Sequence, residues 1–427
     1  MSKKVLILTY YWPPSGGAGV QRWLKFSKYL FHFDVEPIVL TVDEQYAEYP
    51  NLDLSLIQDV HPKLKVHKTK TWEPFNIYKT FSKKDKPKHG NVYSKNSFKG
   101  KVINLIRANF FVPDPRKYWK KYAIKKALEI ISQQEIECII TTGPPHSVHL
   151  IGLELKKKTK IKWIADFRDP WSNFMFNEDL PRLPFIKKID AKNEQNVLEN
   201  ADKIITTTNG ISKDFESFKE KITVLSNGYD DSDIPAFELK QNKKFILSYI
   251  GNFRNNQDVT ILWRTLNKLQ EDKLITTDNF ELALVGNIAS NIEESIRSNK
   301  LEGFIFRHGY LAHKEALSIM MQSNALLIII PDVQSKMSIN TGKIFEYLAS
   351  KNPVITIGPK GGDADLILQN CQRNKAVEYN DSELLYQQIK TELEIFKSND
   401  GYNYQVDNDL HLQYSRKQIT EKLTSIL

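Results

Sequence analysis

Short, nearly continuous apolar runs recur along this chain. Each is followed by a glycine-, proline- or polar-rich turn and then by apolar positions at helical spacing. Runs of that kind mark parallel strands buried on both faces. The pattern predicts strands over Val5–Thr9, Pro37–Thr41, Lys63–His67, Cys138–Thr142, Lys162–Asp166, Lys203–Thr207 and Thr223–Ser226. A second series is predicted over Phe245–Gly251, Glu281–Gly286, Phe304–His308, Ala325–Ile330 and Val354–Gly358. Strands alternating with helices predict an α/β chain with two Rossmann-like, doubly wound domains. Asn227-Gly228 reads as a tight turn, and the polar stretch Asp230–Lys244 as the linker. The expected division is residues 1–230, then 245–405, then a closing segment 406–427 whose amphipathic helix runs from Tyr414.

Chemistry-bearing residues gather at the carboxyl ends of these strands, where open α/β sheets bind ligands. After the first strand come Gly16, Gly17 and Gly19, spaced more tightly than GxGxxG. Glycines there let backbone approach a sugar phosphate closely, and equally make a plain tight turn. Gly143-Pro144-Pro145 carries His146 out of the fourth strand. The fifth ends in Asp166, Arg168 and Asp169, where the arginine can bridge two carboxylates. Between the last two strands a helix is expected over Thr341–Ser350, capped by Asn340 or Thr341. Its Lys343 and Glu346 share a face. Free N–H groups, the helix dipole and Lys343 suit a phosphate, and Glu346 suits sugar hydroxyls. An ordinary solvated Lys–Glu pair is the other reading of the same spacing.

Composition narrows the class. The chain has 427 residues, 41% of them hydrophobic, enough for two sizeable cores. Two cysteines, Cys138 and Cys371, make no disulfide scaffold and no metal-ligand spacing, which points to a cytoplasmic compartment and predicts no metal. Met1 runs almost at once into a strand, so no signal peptide is expected, and no apolar run is long enough to span a bilayer. The net charge of +9 favours anionic partners. Much of it lies in an insertion over about 75–126. There, eight lysines between Lys79 and Lys101 are joined by Phe75, Tyr78, Phe81, Tyr93 and Phe98, and Lys117–Lys126 repeats the theme. Basic and aromatic residues so mixed fit peripheral contact with an anionic membrane, and fit a solvated loop as well. Nucleic acid is not expected, because no nucleic-acid fold motif accompanies the charge.

Six motifs in order resemble the family-4 glycosyltransferases of the GT-B fold. They are Tyr11–Gly19, Ala165–Trp171, Ser226–Asp230, Tyr249–Arg254, Gly342–Ala349 with Pro353-Val354, and the terminal helix from Tyr414. The first two look like the subgroup acting on bacterial surface polysaccharides and lipid-linked sugars. The resemblance implies two domains facing a central cleft. It also implies metal-independent, retaining transfer of a sugar from a nucleotide-diphosphate donor to a glycan or lipid-linked acceptor, with no cofactor. It gives donor contacts to Gly16, Gly17, Gly19, Gly251, Arg254, Thr341, Gly342, Lys343 and Glu346. His146 would meet the transferred sugar, and Asp166 or Asp169 would orient the acceptor or pair with Arg168. Two departures are visible: Ser338 stands where the family often has a first glutamate, and Gln257-Asp258 where it often has Lys-Gly. A nucleotide-sugar 2-epimerase, a non-catalytic nucleotide-sugar-binding subunit and, more remotely, a dinucleotide oxidoreductase are the competing readings.

Overall fold

The computed structural model describes residues 2–49, 51–73, 98–172, 181–236 and 240–427. The lysine-rich stretch over 79–97 lies outside them. The chain divides into one unit made of Met1–Ser226 with Ile419–Leu427, and a second made of Asn227–Gln418. The polar stretch from Asp230 therefore belongs to the second unit. The tight turn expected at Asn227-Gly228 is absent: the chain there is irregular, with no turn.

The first unit runs β1 Lys3–Leu8, α1 Ala18–Leu30, β2 Val35–Val42, β3 Lys65–Thr69, α2 Phe98–Phe110, α3 Lys120–Gln133, β4 Cys138–Gly143, α4 Ser147–Thr159, β5 Lys162–Phe167, α5 Pro184–Asn200, β6 Lys203–Thr206, α6 Asn209–Asp214 and β7 Ile222–Val224. Its seven parallel strands are ordered β3-β2-β1-β4-β5-β6-β7. Alternation along β1 feeds two cores. Leu6 and Leu8 pack with Ile38, Trp119 and Trp163 on one face, while Val5 and Ile7 pack with Trp23, Val39 and Ile140 on the other. Ile419, Leu423 and Leu427 at the chain's end join the second of these cores.

The second unit runs β8 Phe245–Ile250, α7 Thr260–Glu271, β9 Phe280–Val285, α8 Ser290–Ser298, β10 Ile305–Gly309, α9 His313–Gln322, β11 Ala325–Ile329, α10 Lys343–Ala349, β12 Val354–Ile357, α11 Asp363–Asn370 and α12 Ser382–Ser398. Its parallel sheet is ordered β10-β9-β8-β11-β12. Leu247, Tyr249, Leu282 and Leu327 face one core, and Leu326, Ile328, Ile344 and Leu348 the other. Every predicted strand is present, with ends shifted by two residues at most. The terminal helix is α13, Arg416–Thr424, preceded by a 3-10 turn over Leu410–Tyr414.

These strand orders fix where the chemistry sits. In the first sheet the chain runs outward from β1 to β3 and then returns to the other side of β1 as β4. In the second it runs from β8 out to β10 and returns as β11. Each reversal opens a crevice at the carboxyl ends of the two strands it separates. The glycine turn and His146 follow β1 and β4. Gly251 with Arg254, and Lys343 with Glu346, follow β8 and β11.

Candidate functional site

In the first unit, Asp166 is a structural hub and not an open acid. It is fully buried against Arg22 of α1, whose Nη2 lies 3.0 Å from Oδ1 and whose Nε lies 3.3 Å from Oδ2. Trp23 Nε1 and Thr142 Oγ1 donate to the same carboxylate at 2.6 and 2.8 Å. Arg22 also donates to the carbonyls of Leu225 and Ser226, both at 2.9 Å. The expected bridge from Arg168 to Asp166 is therefore absent: four donors from α1 and β4 already satisfy that carboxylate. Arg168 donates instead to the carbonyl of Gly143, at 3.2 Å from Nε, and to that of Pro144. Burial lowers its guanidinium pKa, with the charges of Asp169 and Asp166 opposing. Asp169 is the half-buried carboxylate of the pair, and burial pushes its pKa up against the pull of Arg168.

His146 immediately precedes α4, where the sequence places it, and stacks on Trp171 with ring centres 5.0 Å apart and planes at 7°. Its ring is buried and neither nitrogen makes a well-formed hydrogen bond. Burial holds it neutral, with its pKa well below the usual imidazole value. His149 lies one turn on, stacked on Phe167 at 4.5 Å. Trp163 Nε1 donates to Thr141 Oγ1 at 2.9 Å, and that oxygen lies 2.9 Å from His149 Nδ1. Gly143 admits both rings: a Cβ there would stand 2.6 Å from His149 Nε2 and 2.9 Å from His146 Nδ1.

Each glycine of the first turn has its own reason. Gly17 has φ 104°, open to glycine and costly for other residues. A Cβ on Gly16 would meet the Asp53 side chain at 3.1 Å, and one on Gly19 would overlap the Arg168 guanidinium. Gly19→Ala is therefore expected to cost about 1–3 kcal/mol by overpacking against a pinned side chain. Thermal unfolding checks it, and the cost should largely vanish in the Gly19→Ala/Arg168→Ala double variant. Full additivity of the two changes would contradict the clash.

In the second unit, α10 begins at Lys343 and is seven residues long. The predicted cap is absent. Gly342 precedes the helix with no side-chain cap, because the side chains of Asn340 and Thr341 turn inward. Their polar atoms are buried without protein partners. The Lys343 amine lies over the Tyr249 ring, 3.8 Å from its centre. Gly251, with φ 111°, lets the lysine pass: a Cβ there would meet Lys343 Cε at 3.0 Å and Nζ at 3.1 Å. Burial lowers the lysine pKa to about 7, assisted by the nearby charge of Arg254 and opposed by Glu346. Arg254 itself is exposed. Glu346 lies 3.6 Å from His313 Nε2 at the start of α9. Burial raises its pKa, His313 and Arg416 pull it back, and Asp233 adds to the rise.

Gln257 does not reach toward this cluster. Its side chain accepts from the Tyr249 hydroxyl and the Arg254 amide and donates to the Ile329 carbonyl, tying β8 to β11. Asp258 accepts from Trp263 Nε1 and Ser295 Oγ. Both have local structural work at the positions where the resemblance would put Lys-Gly.

Sequence reasoning did not single out Arg22, Tyr249 or His313. Arg22 had a signal, being a charge on the apolar face of a helix beside Trp23 and Phe26. His313 had none, because its nearness to Glu346 exists only once α9 and α10 pack on one sheet. Among the described residues, no group of three or more His, Cys, Asp or Glu is placed to hold a metal ion. Nor is any described helix long and apolar enough to cross a membrane.

Known structures share this architecture. A glycosyltransferase from Rickettsia africae superposes with a TM-score of 0.60 at 16% identity, covering 100% of this chain and 97% of that one. A TarM variant of S. aureus, in complex with fondaparinux, alpha-GlcNAc-glycerol and UDP, gives 0.59 at 13%, with 99% of each chain covered. An enzyme of Listeria monocytogenes described as a UDP-N-acetylglucosamine 2-epimerase gives 0.51 at 10%, covering 100% and 95%. The chain has the GT-B fold. By sequence, no family model matches it, and no curated protein does. Two parallel sheets with interleaved helices, similar over their whole length to these proteins, bear out the α/β expectation.

Proposed function

We propose that this protein is a glycosyltransferase of the family-4 type. It moves a sugar, with retention of configuration and without a metal, from a nucleotide-diphosphate donor to a glycan or lipid-linked acceptor of surface-polysaccharide synthesis. The observation that carries this reading is the Lys343 amine, held over Tyr249 beneath Gly251 at the carboxyl ends of β8 and β11. Bond cleavage builds negative charge on the departing diphosphate. A cation already positioned there favours the transition state over the ground state. Arg254 supplies a second charge at the rim. Glu346, beside His313, takes the donor's sugar hydroxyls, and the orphaned polar atoms of Asn340 and Thr341 gain partners from the same ligand. His146, neutral and stacked on Trp171, meets the transferred sugar, and Asp169 is the carboxylate left to act on an acceptor.

UDP in the TarM complex supports a nucleoside diphosphate as the product. The epimerase likeness keeps one other reaction in view, an epimerisation that would act on the donor alone. Incubation with a panel of nucleotide sugars, with and without a lipid-linked acceptor, separates the readings. Acceptor-dependent release of nucleoside diphosphate is the expected result. An isomerised sugar without release would make the protein an epimerase, and binding alone a non-catalytic subunit.

Glu346→Gln is expected to raise KM about tenfold with kcat within about twofold, because hydroxyl contacts act equally in ground and transition states. A collapse of kcat at unchanged KM would take Glu346 off the donor's sugar hydroxyls.

A further inference from the structure

Two segments far apart in sequence bring exposed apolar side chains together on the first unit. On α2 these are Leu105, Ile106 and Phe110, the last 70% exposed. At the start of α5 they are Leu183, Phe185 and Ile189, with Phe185 58% exposed. Asn109 joins the two segments. Its Nδ2 donates to the Pro181 carbonyl at 2.9 Å, and its Oδ1 accepts from the Leu183 amide at 2.8 Å. Arg182 adds a bond to the Pro113 carbonyl at 3.3 Å. The apolar residues flank these bonds, so they share one surface.

Charge on that surface is sorted by sign. Over the first three turns of α5 the lysines Lys187, Lys188 and Lys192 are exposed, while the acids Asp190 and Glu194 are buried; Glu199, exposed, lies at the far end of the helix and accepts from Gln195 Nε2. Asp190 accepts from Trp171 Nε1 and pairs with Arg182. Glu194 accepts from the Ser172 amide and hydroxyl. Between Phe98 and Lys126 the one acid is Asp114, held by the amide and hydroxyl of Ser147. Water alone gives no reason to turn both acids of these turns inward beside exposed Phe and Ile. Against a second copy of the chain, a two-fold contact would set the same lysines facing each other.

We propose that this two-helix surface docks the protein on an anionic lipid interface. Phe185, Ile189 and Phe110 enter the boundary between headgroups and acyl chains, and the α5 lysines meet lipid phosphates. The surface goes beyond the transferase reading and uses none of its residues. Its test needs no nucleotide sugar, so failure here leaves that reading standing.

The experiment is sedimentation of the full-length protein with vesicles of phosphatidylcholine, pure or with phosphatidylglycerol at about three parts in ten. Binding is expected only to the anionic vesicles and should weaken with salt. Phe185→Ser with Ile189→Ser should lower the partition coefficient about 100-fold. Lys187→Glu with Lys188→Glu and Lys192→Glu should lower it at least as far. A charge-matched control on the second unit, Lys243→Glu with Lys300→Glu and Lys397→Glu, should bind as the parent does. Unchanged melting temperatures certify that the variants fold. Equal binding to both vesicle types, or wild-type binding by either α5 variant, overturns the proposal. So does light scattering that shows a dimer which the apolar variant dissolves.

Discussion

Asp166→Ala is expected to cost about 3–5 kcal/mol of stability, the loss typical of a broken buried ion pair. At roughly 2–4 °C per kcal/mol, the first unit should melt on the order of 10 °C lower. Removing the carboxylate takes from the buried Arg22 guanidinium its anionic partner, with the carbonyls of Leu225 and Ser226 still accepting from it. It also strands Trp23 Nε1 and Thr142 Oγ1. Asp166→Asn keeps the shape and part of the hydrogen bonding but not the charge, so it should fall between. Arg22→Met with Asp166→Leu removes both ions together and should recover part of the loss, limited by the two stranded donors. Calorimetry of the four proteins tests this. An Asp166→Ala protein that melts like the parent yet has lost activity would move Asp166 from the scaffold into the chemistry.

Lys343→Ala should lower kcat on the order of 100-fold, the usual loss of one preorganised charged donor at a developing anion. The pH dependence carries a sharper signature. With its pKa lowered to about 7, the free enzyme holds this amine charged below neutrality and loses the charge above it. Thus kcat/KM, which reports the free enzyme, should fall as pH rises through about 7. Bound diphosphate favours the ammonium, so the matching limb in kcat should lie at higher pH. The sign for stability is opposite. Between about 7 and the ordinary 10.5 the unfolded chain holds a proton on this lysine that the folded protein does not. The unfolded state binding more protons makes stability rise with pH across that window. Lys343→Met should flatten this rise and remove the kcat/KM limb together. A Lys343→Met enzyme that keeps the limb would assign the titration to another group.

The two variants mark how far the sequence reached. Most strands were legible because both faces of each sheet are covered, so the buried runs are nearly continuously apolar; the edge strands Lys65–Thr69 and Ile305–Gly309 are mixed. Turn glycines and the residues after strand ends were legible because chain order places them at carboxyl ends. The same logic drew attention to His146, Lys343 and Glu346. It could not rank Asp166 against Asp169, which look alike three positions apart. Only the fold brings Arg22, 144 residues away, onto Asp166 and leaves Asp169 to its neighbour. The sequence likewise read Asn340 and Thr341 as helix caps, because both are good acceptors. Packing turned them inward, and the helix starts at Lys343 instead. The basicity of Lys343 was beyond any local reading. A lysine is a strong base in water, and what weakens this one is burial over Tyr249, on a strand nearly a hundred residues earlier. Local sequence determines which backbone states and which apolar faces are available. The environment of a charge is set by whatever packs around it, and that is decided by contacts between segments that sequence order keeps apart.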